Sequence, residues 1–215
     1  MKDAAGSTPR RKKTRDAEAT REDVLKAAIQ EFSEKGLHGA RVEEIAARTA
    51  TSKHMIYYYF GSKDGLYAAV LDRVYADFRT AEGRAKPDLT DPVAALANLV
   101  GLTFDSHVDN PERIRILMSE NLDCGRHASL LDHSRQRELV LGTLGEILKR
   151  GQERGVIRSG INLTQLHMSI SSLCFYYVSN AHTFSKVFDF DMFDPGNREA
   201  RRAEVIETIL CRCRV

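Results

Sequence analysis

Apolar residues recur every three or four positions through most of the chain, a spacing that predicts amphipathic α-helices. The first such stretch, Val24–Phe32, follows a capping signal at Thr20 and precedes Gly36, a residue type common at helix C-termini. No run alternates apolar and polar residues as a strand would, and no repeat of fixed period is present. The pattern therefore predicts an all-α protein.

Two short helices with a tight turn between them come next. They are expected at about Val42–Thr49 and Lys53–Tyr59, with Ser52 as the N-cap of the second one. Residues Phe60–Ser62 interrupt the pattern, and a longer helix then covers about Lys63–Ala81. Two short helices joined by such a turn predict a helix-turn-helix, whose second helix enters the major groove of DNA.

The rest of the chain keeps the helical pattern, interrupted by joints that contain glycine or proline. Helices are expected near residues 92–108, 112–123, 128–154, 163–185 and 199–212. The predicted organisation has three parts, which are a disordered basic arm (1–17), a three-helix helix-turn-helix domain (18–65) and a larger C-terminal helical bundle (66–215).

Composition and charge add to this picture. Of the 215 residues, 42% are hydrophobic, which is enough for a folded core. The net charge is only +2, but residues 1–15 hold six basic residues against one acidic residue, as in arms that contact nucleic acid. The four cysteines lack the spacing of a zinc site, so no metal or cofactor is expected. Without a signal-peptide pattern or a membrane-length apolar run, a cytoplasmic location is expected.

The second short helix carries side chains that are unusual for a buried element. Its polar face holds Lys53, His54, Tyr57 and Tyr58. Ile56 points the opposite way. Lysine and histidine reach base edges, while tyrosine offers a hydroxyl for phosphate oxygens and a ring for thymine methyl groups. A tyrosine cluster alone is more often core or interface, but this spacing favours a DNA-reading surface.

These helices resemble the DNA-binding domain of the tetracycline-repressor-like (TetR) family over about residues 20–70. The matching motifs are Gly36, Val42–Ala46, Ser52–Lys53, Ile56–Phe60 and Ser62–Leu66. The resemblance implies an all-helical dimer that most often represses transcription and that releases operator DNA when its C-terminal bundle binds a small molecule. By motif position it implies base or phosphate contacts for Lys53, His54, Tyr57, Tyr58, Tyr59 and Lys63, and Ser52 is included in the predicted DNA-binding set.

Two positions depart from the family pattern. The turn contains Ala50 where the family usually has glycine, and a left-handed backbone there would cost about 1 kcal/mol. Met55 stands where the family usually has threonine or serine, which removes a phosphate hydrogen bond. Two points stay open. Tyr59 could pack against the first helix instead of contacting DNA, and the basic arm could be a solvated tail that contacts no DNA.

Polar residues of the predicted bundle are candidate contacts for a small-molecule effector. The predicted ligand-binding residues are Asn121, His127, His167, Tyr176 and Asn180, with His133, Tyr177 and His182 as further candidates. The arginines that could pair with an acidic ligand are Arg113, Arg115, Arg126 and Arg135. For any single one of these residues, a surface or packing role is the more common one. The spacing of the histidines does not indicate a metal site.

The apolar stripes at 163–185 and 199–212 predict a four-helix interface between two copies of the chain. The alternative is that both stripes are buried within their own subunit. A two-fold dimer would bind an inverted-repeat operator, and the helix at Lys63–Ala81 would act as the lever between effector and DNA.

Other functions fit the sequence less well. No nucleophile elbow, glycine-rich phosphate loop or paired metal motif is present, so the protein is not expected to be an enzyme. A DNA-binding factor without a small-molecule effector, controlled by a partner or acting architecturally, is the alternative function. A large cavity in the C-terminal bundle would favour the effector-binding regulator, and a filled core would favour the alternative.

Overall fold

The computed structural model describes residues 9–84, 87–132 and 134–215, without side chains for 9–16, 79–84 and 135–140. Its helices are α1 (Pro9–Gly39), α2 (Val42–Ala47), α3 (Lys53–Phe60), α4 (Lys63–Arg84), α5 (Pro92–Val108), α6 (Pro111–Leu122), a 3-10 helix (Ala128–Leu130), α7 (Ser134–Glu153), α8 (Leu163–Ser179), α9 (Ala181–Phe188) and α10 (Pro195–Cys213). Within these ranges no strand forms, and one antiparallel bridge pairs Ile157 with Arg214. The predicted all-α class is confirmed.

The N-terminal arm differs from the prediction in the part that the structure describes. Helix α1 already begins at Pro9 and runs through Thr20, so residues 9–17 are helical rather than disordered and Thr20 lies inside the helix instead of at its start. Arginine, lysine, alanine and glutamate dominate this stretch, and their high helix propensity extends the helix toward the N-terminus. Residues 1–8 of the expected arm lie outside the described residues.

Two of the long helices predicted for the bundle are each divided. The stretch 163–185 contains α8 and α9, which meet at Asn180, whose side chain donates to the hydroxyl of Ser179 at 2.8 Å. The stretch 128–154 contains the 3-10 helix and α7, which begins where Asp132 accepts a hydrogen bond from the backbone N–H of Ser134 (2.9 Å). In both places a short polar side chain forms a local hydrogen bond at a helix boundary.

The chain divides into two compact units whose boundaries differ from the predicted domains. The first unit contains the described residues up to Arg73 together with Ser119–Leu130. The second contains Val74–Met118 and the residues from Leu131 onward. The predicted boundary at residue 65 falls inside the first unit, and residues 119–130, which the prediction assigned to the C-terminal bundle, belong to the first unit.

The first unit has a core built from α1 to α4. Phe32 of α1 and Tyr67 of α4 are both buried, and their rings meet edge to face with centroids 5.1 Å apart. Ile45 of α2 and Ile56 of α3 are also buried in this unit. Because each short helix has one apolar face in this core, the opposite face of α3 is free for another role.

Glu31 connects α1 to the start of α2. Its buried carboxylate accepts hydrogen bonds from Lys35 Nζ (2.9 Å) and from the backbone N–H of Arg41 (3.2 Å), and Arg48 lies 3.4 Å away. Burial alone would raise the pKa of Glu31, but the bonds from Lys35 and Arg41 and the charges of Lys35 and Arg48 outweigh it and lower the pKa. The backbone reaches this arrangement through a kink in α1 at Gly36, where φ is +65°.

We expect Glu31→Gln to lower the free energy of unfolding at neutral pH by an amount that shrinks in acid. A carboxyl whose pKa is lowered in the folded state stabilises fully above its unfolded pKa, and this contribution disappears as the pH falls through the folded pKa. Urea unfolding of both proteins between pH 7 and pH 3 measures the difference. Glu34→Gln, which alters an exposed neighbour on the same helix, is the control, and a difference between Glu31→Gln and wild type that does not change with pH would contradict the prediction.

The segment 119–130 is attached to the first unit by a buried polar cluster. Glu120 Oε1 accepts hydrogen bonds from the backbone N–H groups of His127 (2.6 Å) and Ala128 (2.8 Å), which fixes the turn before the 3-10 helix. The His127 ring is buried, with Nδ1 3.3 Å from Glu120 Oε2 and Nε2 3.1 Å from Asp64 Oδ1 of α4. The ring also meets the edge of Tyr67 at 5.0 Å. His127 lowers the pKa of Asp64 by hydrogen bonding and by its charge.

The core of the second unit consists of α5, α7, α8 and α10. Leu166 and Ile170 of α8 and Val205 and Ile209 of α10 are buried in this core. These residues belong to the two stripes that were predicted to form a dimer interface, and for them that prediction was wrong because they pack within their own unit. Arg202 of α10 adds a bond from its Nε to the Asp105 carboxylate of α5 at 2.9 Å.

Candidate nucleic-acid interface

The turn before α3 is formed without backbone strain. Ala50 does not have a positive φ, so the cost expected for a left-handed alanine does not arise. Ser52 is the N-cap of α3, as predicted, and its hydroxyl accepts a hydrogen bond from the backbone N–H of Met55 at 3.3 Å. Gly61 ends α3 with a φ of +75°, a conformation that glycine adopts at little cost.

Helix α3 presents one apolar face inward and one polar face outward. Ile56 is buried in the first unit, whereas His54 is exposed. Tyr57 is 37% exposed and Tyr58 is 75% exposed, although large aromatic side chains are usually covered in a folded protein. The two tyrosines and the histidine therefore form an outward surface that the fold of this unit does not use.

Lys53 is held in place by two contacts that the sequence did not reveal. Its ammonium forms an ion pair with Glu43 of α2 and lies 5.7 Å above the ring of Tyr57. The hydrogen bond with Glu43 raises the pKa of Lys53 and lowers that of Glu43. The pair orients the lysine beside Tyr57, and a phosphate that replaced Glu43 as its partner would meet an ammonium already in position.

Three further residues of the motif have specific contacts. Tyr59 is half-buried and its ring meets that of Tyr58 at 5.6 Å, so only part of it is available to a partner. Lys63 is also half-buried and its ammonium donates to the backbone carbonyl of His38 at 3.2 Å. Ser62 accepts a hydrogen bond from the backbone N–H of Gly65 at 3.0 Å, and it caps the start of α4.

The geometry suits contact with a nucleic acid backbone and with base edges. A short helix with an N-terminal lysine and outward histidine and tyrosines supplies one cation, several hydrogen-bonding groups and two rings on one surface. Lys63 and the N-terminus of α4 follow directly in the chain and offer a second point for a phosphate. The contributions of Glu43 and of the His38 carbonyl depend on residues distant in sequence, and no helical periodicity could have identified them.

Among the residues that the structure describes, the predicted effector contacts are spread over both units. Asn121 is exposed and His127 is buried, both in the first unit. In the second unit His167 is half-buried on α8, where burial lowers its pKa, and Tyr176 is exposed on the same helix. Asn180 forms the local bond between α8 and α9 described above.

Two other candidates do share a cavity of the second unit. Tyr177 and His182 line a space of about 340 Å³ together with Arg115. Arg113 instead forms an ion pair with Asp77 at 3.1 Å, and Arg126 lies in the first unit. His133 and the side chain of Arg135 are outside the described part of the chain.

Two stretches of this chain match known protein families. Residues 24–70 match the family described as bacterial regulatory proteins, tetR family, and residues 92–209 match the tetracyclin repressor-like C-terminal domain. The chain belongs to the TetR family. TetR proteins are transcriptional regulators that bind DNA and are not enzymes. The resemblance found in the helix-turn-helix residues is thereby confirmed.

Two characterised TetR relatives are repressors by name. The transcriptional repressor NicS of Pseudomonas putida is 41% identical over 179 residues, which are 83% of this chain and 84% of the relative. The transcriptional repressor SCO4008 of Streptomyces coelicolor is 33% identical over 147 residues, which are 68% of this chain and 72% of the relative. Both alignments extend well beyond the DNA-binding domain.

Solved TetR-type structures share the fold at lower identity. The fatty acid degradation regulator FadR of Bacillus halodurans superposes with a TM-score of 0.68 at 20% identity, covering 89% of this chain and 94% of that one. The TetR regulator PfmR of Thermus thermophilus superposes with a TM-score of 0.64 at 21% identity, covering 89% of this chain and 95% of that one. None of the helices that the structure describes is long and apolar enough to cross a membrane.

Proposed function

We propose that this TetR protein is a homodimeric repressor that binds an inverted-repeat operator through α3 and releases it when a small molecule binds the second unit. The observation that carries the DNA-binding part is the outward surface of α3, with Tyr58 three-quarters exposed while Ile56 on the same helix is buried. Repression follows the names of the two relatives. A regulator of this kind would act in the cytoplasm, where the chromosome is.

Cavities in the second unit support the effector-binding part of the proposal. Besides the space beside Arg115, a second space of about 560 Å³ lies between Tyr176, Phe184 and Phe188. Both volumes are within the range of small-molecule sites. A completely filled core would instead have favoured a DNA-binding factor without an effector.

Exposed apolar side chains of the second unit support the dimer. Met168 and Tyr176 of α8, within the first predicted stripe, and Val187 and Phe188 of α9 are exposed, whereas Leu166 and Ile170 of α8 are buried. A two-fold axis would present the same surface from both copies, and two reading helices would then meet two half-sites one helical turn apart.

Selection of bound sequences from random duplex DNA tests the proposed operator. We expect an enriched inverted repeat, because a two-fold dimer carries two identical reading helices. Enrichment of a single unrepeated site, or of no sequence, would contradict the operator part of the proposal.

We expect Tyr58→Ala and Lys53→Ala each to weaken operator binding by about 1–3 kcal/mol, while the free energy of unfolding changes by no more than about 0.5 kcal/mol. Both side chains are exposed, so their loss leaves the core intact and removes, besides surface contacts with Glu43, Tyr57 and Tyr59, only the proposed contacts with DNA. Lys186→Ala, which removes an exposed lysine from α9, is the matched control for charge. The measurement is fluorescence anisotropy with the selected operator at one fixed salt concentration. Wild-type affinity in both variants would show that α3 is not the reading helix.

The proposed coupling between effector and operator is reciprocal. An effector that weakens operator binding by a given factor must itself bind more weakly, by the same factor, when the operator is present. Equal effector affinity with and without operator DNA would exclude this mechanism.

A further inference from the structure

A cavity in the second unit has the size of a small-molecule site. Its volume is about 340 Å³, and it lies among α6, α8, α9 and the start of α10. The side chains that matter for its chemistry are Ile114, Arg115, Met118, Ala181, His182, Met192, Phe193 and Arg198. No aspartate or glutamate is among the described residues that line it.

Most of the wall is apolar. Ile114, Ala181 and Met192 are buried, and Met118 extends the same surface along α6. The hydroxyl of Tyr177 donates to the backbone carbonyl of Met192 at 2.6 Å, so its proton is already used within the protein. A molecule in this cavity would therefore place an apolar body against the wall.

One of the two arginines at the cavity is already neutralised. Arg198 Nη2 lies 2.8 Å from Asp109 Oδ1 and 3.7 Å from Asp105 Oδ1. These carboxylates hold the Arg198 guanidinium in place and satisfy its charge. Arg198 therefore shapes the cavity but does not attract an anion strongly.

Among the described residues, Arg115 has no such partner. Among the described residues no carboxylate lies within ion-pair distance of Arg115, and its contact is with the ring of His182, from Nη2 to Nε2 at 3.3 Å. A guanidinium only donates, so this contact requires the His182 tautomer with its proton on Nδ1. Within the described part of the chain no acceptor is bonded to the other N–H groups of Arg115, which can donate to a planar acceptor.

His182 also orients the aromatic side of the opening. Its ring centroid lies 5.1 Å from that of Phe193, a side chain that is 61% exposed. Arg115, His182 and Phe193 thus place a cationic fork beside an uncovered aromatic ring. A planar carboxylate matches the guanidinium fork, and an adjacent apolar group matches the ring.

We propose that this cavity binds a small carboxylic acid in its anionic form, with the carboxylate on Arg115 and the apolar body against Ile114, Met118 and Phe193. A single unpaired guanidinium balances one negative charge, which favours a monoanionic carboxylate over a dianionic phosphate ester. The regulatory meaning of the site rests on the proposed function, but binding itself does not.

Helix α6 gives the site a route to the DNA-binding unit along the chain itself. Residues 111–118 of α6 belong to the second unit, and Ser119–Leu122 belong to the first. Met118 lines the cavity, and Glu120, two residues later, holds the turn around His127. A ligand that shifts Met118 would therefore act on the helix that carries Glu120.

Calorimetry on the full chain tests the site with matched probes. Benzoate and hexanoate are compared with their neutral isosteres benzamide and hexanamide, and with phenyl phosphate as a dianion. We expect at least one carboxylate to bind at least tenfold more tightly than its amide and than phenyl phosphate. Arg115→Gln should weaken that binding at least tenfold, because the charge-assisted hydrogen bonds are lost.

Arg212→Gln is the control, because it removes an exposed arginine of the second unit from outside this cavity. Thermal unfolding of each variant shows that it is folded. The proposal is overturned if no carboxylate binds up to millimolar concentration, if amides or phenyl phosphate bind as well as carboxylates, or if Arg115→Gln binds like wild type.

The two proposals fail separately. If a carboxylate binds through Arg115 but leaves operator affinity unchanged, the site is supported and the ligand-released repressor is not. If the chain binds the operator but no carboxylate, DNA binding is supported and this site is not.

Discussion

Replacing Glu120 by alanine is expected to lower the free energy of unfolding of the first unit by about 3 kcal/mol. The substitution leaves the backbone N–H groups of His127 and Ala128 without an acceptor and removes the carboxylate opposite the buried His127 ring. Breaking one partner of a buried charged cluster costs far more than deleting an exposed charge, because the remaining groups stay buried without compensation.

Urea unfolding of Glu120→Ala, followed by circular dichroism at constant pH, measures this loss. Glu120→Gln keeps a side-chain oxygen for the two N–H groups and should cost clearly less. Glu199→Ala removes an exposed glutamate of α10 and should change stability by no more than about 0.5 kcal/mol. If Glu120→Ala were as stable as Glu199→Ala, the buried cluster would not be what attaches residues 119–130.

Gly65→Ala is expected to destabilise the protein by about 2 kcal/mol and to weaken operator binding. A Cβ at this position would collide with the backbone carbonyl oxygen of Phe60, the last residue of α3. Backbone cannot rotate away as a flexible side chain can, so either the end of α3 or the first turn of α4 must move. Both carry predicted DNA contacts, namely Tyr57 and Tyr58 on α3 and Lys63 on α4.

Gly142→Ala in α7 is the matched control, since a Cβ there meets nothing within 4 Å. Alanine favours a helix interior over glycine, so Gly142→Ala should stabilise the protein by about 0.5–1 kcal/mol. Thermal unfolding measures the stability of each variant, and fluorescence anisotropy of labelled operator DNA measures its operator affinity. Both are measured on the same preparations. A Gly65→Ala protein with unchanged stability and operator affinity would mean that the α3–α4 junction tolerates the displacement.

Local signals in the sequence were sufficient for the helix-turn-helix. Ser52 as a cap, Ile56 facing inward, and glycine at position 61 are decided within a few residues, and each has the predicted position in the structure. The start of α1 was missed for a related reason. Thr20 has the residue type of a cap, but the strong helix formers before it continue the helix.

Contacts between distant residues could not be predicted in this way. The pair of Lys53 with Glu43 and the approach of His127 to Asp64 depend on how helices pack, which periodicity does not specify. The apolar stripes on α8 and α10 show the same limit, because a stripe indicates that a helix face is covered but not whether its own subunit or a partner covers it. The DNA-binding residues themselves stay predictions until operator binding is measured.

The discontinuous first unit has a consequence for exchanging parts between regulators. A recombinant fragment that stops after α4 would contain every residue predicted to contact DNA yet lack Glu120 and His127, and it would remove the His127 ring from the edge of the buried Tyr67. The first unit is therefore not a continuous N-terminal segment that could be moved on its own. A chimaera that joins the first unit to the C-terminal domain of another regulator would have to include residues 119–130, although they follow α4 by more than thirty residues in the sequence.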